Sequence, residues 1–244
     1  MPVYTWKTPW SRYWYGLHQA GHKRAEWVLG RAILAVHSLH YLADLDDETF
    51  TRGGTSAGHP EAAVERAHVA WATTDAVTAI DICAAVLGRV RCWAPGSTGG
   101  IEHSLSYFDP KGKRKASKVA NDRAKLGPAE LAWVDAMLGD DDYLMTLRAR
   151  HALVHSNLSS VHWMKKPDSA PAHGARCEFP VGPKENVDGF ARELVNCRTV
   201  IETARDMATR GVEAFLADVV MPWAAPYEPD LVNGVDVEPA PRAK

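Results

Sequence analysis

Apolar positions recur at helical spacing in four stretches of the chain. From Lys23 to about Leu45, the residues Trp27, Ile33, Leu34, Val36, Leu39 and Leu42 form a broad stripe, closed by Asp44, Asp46, Asp47 and Glu48, which predicts a first core helix. A Gly, Ser and Thr loop from Thr51 to Gly58 follows, and His59-Pro60-Glu61 opens a second helix with Pro in its first turn and an early acid. That helix runs to about Trp93 through Val64, Ala67, Trp71, Val77, Ile82, Val86 and Val90. A third starts at Pro128-Ala129-Glu130 with Leu131, Trp133, Val134, Met137 and Leu138. Gly139-Asp140-Asp141-Asp142 interrupts or kinks it before Tyr143, Leu144, Leu147, Leu153 and Val154 carry it on. The last helix, from Val187 to about Val220, has Phe190, Leu194, Cys197, Ile201, Ala204, Ala208, Val212, Phe215 and Val219 at three-and-four spacing, and Pro222 ends it. Between Leu158 and Asn186, four prolines flank two short extended stretches, at Ser159 and Ala175, that pair as a hairpin.

The pattern predicts an all-α fold, a bundle of four to five helices with a short extended hairpin inserted before the last helix. It divides the chain into an aromatic N-terminal arm over 1–22, a helical domain over 23–220 and a Pro-rich tail over 221–244. Within the domain, 94–127 forms a basic connection and 158–186 the loop and hairpin insertion. A chain of 244 residues is long enough to bury a substantial core as one domain.

A net charge of −2 and a pI near 6.6 exclude a globally basic nucleic-acid coat, so any such contact must come from a local patch. One segment is strongly polarised. Lys111, Lys113, Arg114, Lys115, Lys118, Arg123 and Lys125 face a single acid, Asp122, and read either as a solvated loop or as a phosphate-steering loop. His103, Tyr107 and Phe108 in the same connection either pack it down or cap a substrate. The arm, with Trp6, Trp10, Tyr13, Trp14 and Tyr15, is either packed on the bundle or a stacking platform or dimer contact.

Cys83, Cys92, Cys177 and Cys197 show no CxxC pairing, and no signal-peptide run precedes them, so they read as reduced thiols. No stretch approaches the roughly 20 consecutive apolar residues of a membrane span. The expectation is a soluble, cytoplasmic protein with no membrane partner. His18 with His22 and His37 with His40 have spacings a metal can use, but no carboxylate or Cys pattern accompanies them.

The most chemically loaded stretch is Leu147 to Asn157, LRARHALVHSN, near the end of the third helix. His151 and His155 are four apart on one helical face, with Arg150 displaced around the helix. Arg keeps its charge and can chelate a phosphate through its planar fork, while His titrates near neutrality, so the set suits phosphodiester chemistry. Arg148 carries the same charge but has no His five residues on. Asp75 and Asp81 lie among apolar and small residues of the second helix and need a partner or a shifted pKa. A set of His151, His155 and His162 would serve a metal enzyme instead. The reading preferred here uses neither metal nor cofactor.

Arg150-His151-Ala152-Leu153-Val154-His155 resembles the RxxxxH signature of HEPN domains, in which the residue after Arg is commonly Asn, Asp or His. The Ser156-Asn157 that follows also looks like the family. The resemblance covers about Lys23 to Val220 and implies a HEPN-like bundle. It further implies a homodimer whose motif helices face each other across a two-fold axis, giving a composite site with two copies of Arg150 and His155. HEPN proteins often place a polar or acidic residue on the preceding long helix near the Arg and His, which makes Asp75 and Asp81 candidates for support.

The activity so implied is metal-independent RNA cleavage. The 2′-hydroxyl is the internal nucleophile, His155 the general acid or base, Arg150 the partner of the non-bridging oxygens, and His151 a positioning group. Lys111, Lys113, Arg114, Lys115 and Lys118 would meet the RNA backbone, and stable DNA binding is not expected. HEPN ribonucleases similar to this chain are often prokaryotic defence or toxin proteins, some with an antitoxin or sensor partner, and no such partner is identified by these residues. Toxin members often carry a Tyr two residues after the motif His as an adenylylation target. Asn157 stands there instead. The alternative within the family is a non-catalytic dimer that binds RNA or protein.

Overall fold

The structure, a computed structural model, describes residues 17, 23–52, 59–92, 104–155, 162–163, 177–181 and 193–225. Its fold is an all-α bundle. Helix α1 spans Lys23–Arg52 and α2 spans His59–Leu87, extended by a π-helical turn at Gly88–Cys92. A 3-10 turn at Leu105–Phe108 leads to α3, Ala116–Arg123, and then to α4, Pro128–Leu138, and α5, Asp141–His155. Three short strands follow: β1, His162–Trp163, β2, Cys177–Val181, and β3, Glu193–Asn196. Helix α6, Cys197–Ala214, continues through a π-helical turn at Phe215–Val220 into α7, Met221–Ala224.

Helices α2 and α6 form the central pair, and α1 and α5 each pack on both without substantial contact with one another. The core runs along α1 through Leu29, Ala32, Val36, Leu39 and Leu42, along α2 through Val69, Ala72, Ala76, Ile80 and Cys83, and along α6 through Val200, Ile201, Ala204, Met207 and Val212. Alanine is the commonest buried residue of α2, at Ala72, Ala76, Ala79, Ala84 and Ala85, which lets its neighbours approach closely. Neighbours on several sides also explain its composition: Val64–Cys92 is long and apolar enough to cross a membrane, but most of it is buried within the bundle. A helix apolar almost all round is what a central position requires. Leu17, from the N-terminal arm, is buried in the same core; the aromatic residues of the arm lie outside the described residues.

Several boundaries differ from the sequence pattern, each for a local reason. Helix α1 does not stop at its acidic run, because Asp46 is buried against His68, Nδ1 to Oδ1 at 2.9 Å, and Asp47 pairs with Arg198 of α6 at 2.7 Å. The expected third helix is two helices. Gly139 ends α4, and Asp140 caps α5 by accepting from the Tyr143 amide at 2.9 Å. The last helix begins at Cys197 rather than Val187. Asn196 caps it, its side chain accepting from the Arg198 amide, and the residues before it pair with β2 from Glu193↔Val181 to Asn196↔Glu178. Among the described residues β1 and β2, from the two extended stretches, pair antiparallel at His162↔Glu178 and Trp163↔Cys177, and β3 adds a third strand on the other side of β2.

Pro222 does not end the last helix either. It falls in the first turn of α7, where a missing N–H is tolerated, and Trp223 returns to the bundle. Its indole donates to Glu130 Oε1 at 3.0 Å, and its ring stands edge-on to Phe215. The buried Glu130 also accepts from Arg91 Nε and Nη2, at 2.8 and 2.7 Å, and from the Gly127 amide. The tail from 226 lies outside the described residues.

Gly211 of α6 sits where side chains of α2 and α4 press on the helix. The Trp133 indole donates to the Gly211 carbonyl at 2.9 Å, and a Cβ on Gly211 would stand 2.5 Å from Ile80 Cδ1 and 3.0 Å from Met137 Sδ. Overpacking of this kind costs roughly 1–3 kcal/mol. Gly211→Val is expected to lower the unfolding free energy by about 2 kcal/mol, measured by urea denaturation, with an unchanged m-value.

Candidate functional site

The site forms where α2, α5 and the segment between α2 and α3 meet. Helix α5 is positioned by its Asp140 cap and by Arg210 of α6, whose Nη2 lies 3.1 Å from Asp140 Oδ2 and 3.0 Å from Asp142 Oδ2. These contacts hold the start of a 15-residue helix whose end carries the Arg-His motif.

Asp81 on α2 accepts a 2.8 Å hydrogen bond from the Leu105 backbone amide, and its other oxygen lies 4.0 Å from Arg150 Nη1. Burial pushes its carboxyl up to about 6, with the Leu105 amide and then Arg150 pulling in the opposite direction. Tyr143, buried on α5, feels the same neighbours. Its hydroxyl is pushed up first by burial and then by the charge of Asp81, while Arg150 opposes and Asp109 adds to the rise. Tyr143 and Arg150 are seven residues apart, two turns along one stripe of α5. A half-buried cation thus stands beside a carboxylate and a buried phenol. The spacing is too long for a tight ion pair, so Arg150 keeps donor capacity.

His151 is exposed and directly follows Arg150. His155 occupies the last turn of α5, one turn beyond His151; its side chain lies outside the described residues, as does all of Asn157. Arg148 points elsewhere, its Nε donating to the Leu144 carbonyl at 3.2 Å.

Asp75 does not join this group. Six residues before Asp81, it is about 120° around the helix and accepts from the Trp71 indole at 2.8 Å, an indole that also reaches Ser38 of α1. Of the two acids singled out in the sequence, only Asp81 meets the motif.

The basic connection divides into two sets. Arg114 lies over the Tyr107 ring, donates to the Tyr107 carbonyl at 2.7 Å and reaches Asp122 at 3.1 Å. Arg123 grips both oxygens of Asp135, and Lys125 pairs with Asp122. These three charges hold the segment together. Lys111, Lys113, Lys115 and Lys118 are exposed and make no ion pair among the described residues. Phe108 is fully buried and Tyr107 meets it edge-on, so both pack the connection down; His103 lies outside the described residues. The Leu105 amide ties the start of this segment to Asp81.

Other reactive groups are committed elsewhere. Burial drives the Cys83 thiol far up and the Cys92 thiol up to about 11, Asp122 adding to the latter, so neither is a thiolate at neutral pH. Cys83 and Cys92 are unbridged thiols. His40 meets Thr209 of α6 at 3.1 Å and is held below the usual histidine range by burial, then by Arg205. Among the described residues, no three His, Cys, Asp or Glu side chains gather as a metal site; His18, His22, His173 and the side chain of His162 fall outside them.

No family model, curated protein or solved structure matches this chain. The site must be read from its own geometry.

Two participants escape sequence reading. Tyr143 could have been found by its seven-residue spacing to Arg150, but its aromatic ring reads as core. The Leu105 amide leaves no signature at all, since every residue but Pro carries one.

For an acid whose folded pKa is raised, the native state binds more protons than the unfolded chain between the two pKa values, so stability falls as pH rises through that window. Asp81 should therefore cost stability between about pH 4 and 6, by up to about 3 kcal/mol from its shift. Asp81→Asn keeps an acceptor for Leu105 and removes the charge. Thermal melts at pH 5 and pH 8 should show it raising Tm at pH 8 and changing it less at pH 5.

Proposed function

We propose that this protein is a metal-independent endoribonuclease of HEPN type, acting as a homodimer with its site at a two-fold contact between motif helices. The observation that carries this is the meeting of Asp81 and Arg150 across α2 and α5, with His151 and His155 following on the same helix. An acid on the preceding long helix beside the motif Arg is what the HEPN resemblance leads one to look for. A cation, two imidazoles and no thiolate suit transesterification at phosphorus.

RNA supplies its own nucleophile. His155 takes the proton of the 2′-hydroxyl or gives one to the departing 5′-oxygen, sharing these roles with its symmetry mate. Arg150 donates to the non-bridging oxygens as charge grows there, and His151 orients the phosphate. Asp81 is a positioning residue, holding Arg150 at a distance that leaves its fork available. Lys111, Lys113, Lys115 and Lys118 steer the backbone, while Arg114 stabilises the segment that carries them. The products carry 2′,3′-cyclic phosphate and 5′-hydroxyl ends. A defence or toxin setting fits this activity, with any antitoxin or sensor partner unassigned.

A second reading is a non-catalytic HEPN dimer that binds RNA or protein. It is favoured by one feature, the partial engagement of Arg150 by Asp81. Cleavage of a mixed-sequence RNA in EDTA separates the two. The wild type should cut RNA and spare DNA of the same sequence. His155→Ala and Arg150→Ala, each still folded and dimeric, should lose about 100-fold or more in rate. Binding of RNA without cleavage supports the second reading, and cleavage of DNA overturns the mechanism. Replacing the four exposed lysines together with Ala should weaken RNA binding and flatten its salt dependence, read from log Kd against log salt.

A further inference from the structure

Trp27 and Leu34 belong to the apolar stripe of α1, yet they are 71% and 67% exposed, and Tyr41 is 44% exposed. Residues seven apart on a helix return to within about 20° of one direction, so the three form a single outward row. Val64 and Trp71, also seven apart, add 42% and 41% exposed side chains from α2. The Trp71 indole is held to this face by its 3.0 Å hydrogen bond to Ser38. Of the six large exposed apolar side chains among the described residues, only Leu144 lies elsewhere. The other five expose on the order of 500 Å² of apolar surface, the upper end for the largest patch on a monomer.

We propose that this face is a self-association surface, on which α1 of a second copy of the chain packs antiparallel about a two-fold axis at Leu34. The spacing selects a copy over an unrelated partner. In a two-fold contact, where residue i meets j, j meets i. The row has that symmetry: Trp27 and Tyr41 lie seven residues before and after Leu34, and the small Gly30 and Ser38 lie four before and after it. Reversing the helix about Leu34 sets Leu34 on its own copy, Trp27 against the partner's Tyr41, and Gly30 level with the partner's Ser38. A Cβ at Gly30 would meet nothing within 4 Å, so the helix surface is open where close approach is needed. The area fits as well. A standard interface takes about 800 Å² from each partner, a little over half of it apolar, which is roughly what these side chains supply.

This contact is independent of the two-fold proposed at the motif helices, because α1 and α5 pack on the α2 and α6 pair without substantial contact with each other. Copies using both contacts build an assembly larger than a dimer.

The test uses the full chain. Sedimentation at high protein concentration should give wild type at least twice the mass of Leu34→Glu, with both showing the same helical circular dichroism. The register is read by cross-linking with a short bis-maleimide, the wild type serving as background for its native thiols. Leu34→Cys should cross-link to itself. Trp27→Cys and Tyr41→Cys should each stay uncross-linked alone, because their own copies stand roughly 21 Å apart along the axis, yet should cross-link to each other when mixed. RNA cleavage by Leu34→Glu tests the motif reading separately. A wild type of the same mass as Leu34→Glu would overturn the proposal, whether the face proves to be covered by the chain's own arm or simply bare. Cross-linking by the single 27 and 41 variants alone, at the level of their mixture, would overturn it too.

Discussion

Burial of α2 is the constraint on which the rest of the structure depends. Because α1, α5 and α6 all pack on it, the faces it turns to them are lined by small and aliphatic side chains, and its alanines help set how near the neighbours come. Any polar group on such a helix is conspicuous energetically. Asp81 is tolerated because a backbone amide and a guanidinium approach it, and the cost of its burial appears as a carboxyl that titrates near 6. The acid draws in both the connecting segment and the end of α5, so the candidate site is a by-product of the way the core is built.

Much of this was legible in the sequence, and the parts that were not share a cause. Helices α1, α2 and α6 announce themselves because their apolar positions recur at helical spacing, and the break at Gly139-Asp140 is marked by its turn chemistry. What periodicity cannot say is which neighbours exist. Trp27 and Leu34 count toward the same broad stripe as Leu39 and Leu42, but they stand roughly 60–140° around the helix from those two buried leucines, and among the described residues they face outward. The acidic run of α1 looked like a terminus until His68 and Arg198 supplied partners. The residues before Cys197 carry apolar spacing compatible with a helix, and strand pairing with β2 overrides it.

The candidate site divides in the same way. Arg150, His151 and His155 are visible as a motif because they are local, spaced along a single helix. Choosing Asp81 over Asp75 required knowing which side of α2 meets α5, since both acids have similar neighbours in sequence. The basic run overstated the surface charge available. Three of its seven cations, Arg114, Arg123 and Lys125, are consumed by Asp122, Asp135 and carbonyls of the segment itself, which only the folded arrangement reveals.

The buried carboxylate of Glu130 gathers Arg91 from the π-helical turn after α2, the Gly127 amide at the start of α4, and the Trp223 indole from α7. These donors come from three separate parts of the chain and converge on one anion. A neutral side chain at 130 would strand the guanidinium and the indole together, and loss of Arg91 would leave a buried charge without its counter-ion. Positions 91, 130 and 223 are thus coupled energetically, so the effects of changing them should not add. One buried anion in this way ties the end of α2, the start of α4 and the C-terminal turn into a single unit that loosens together.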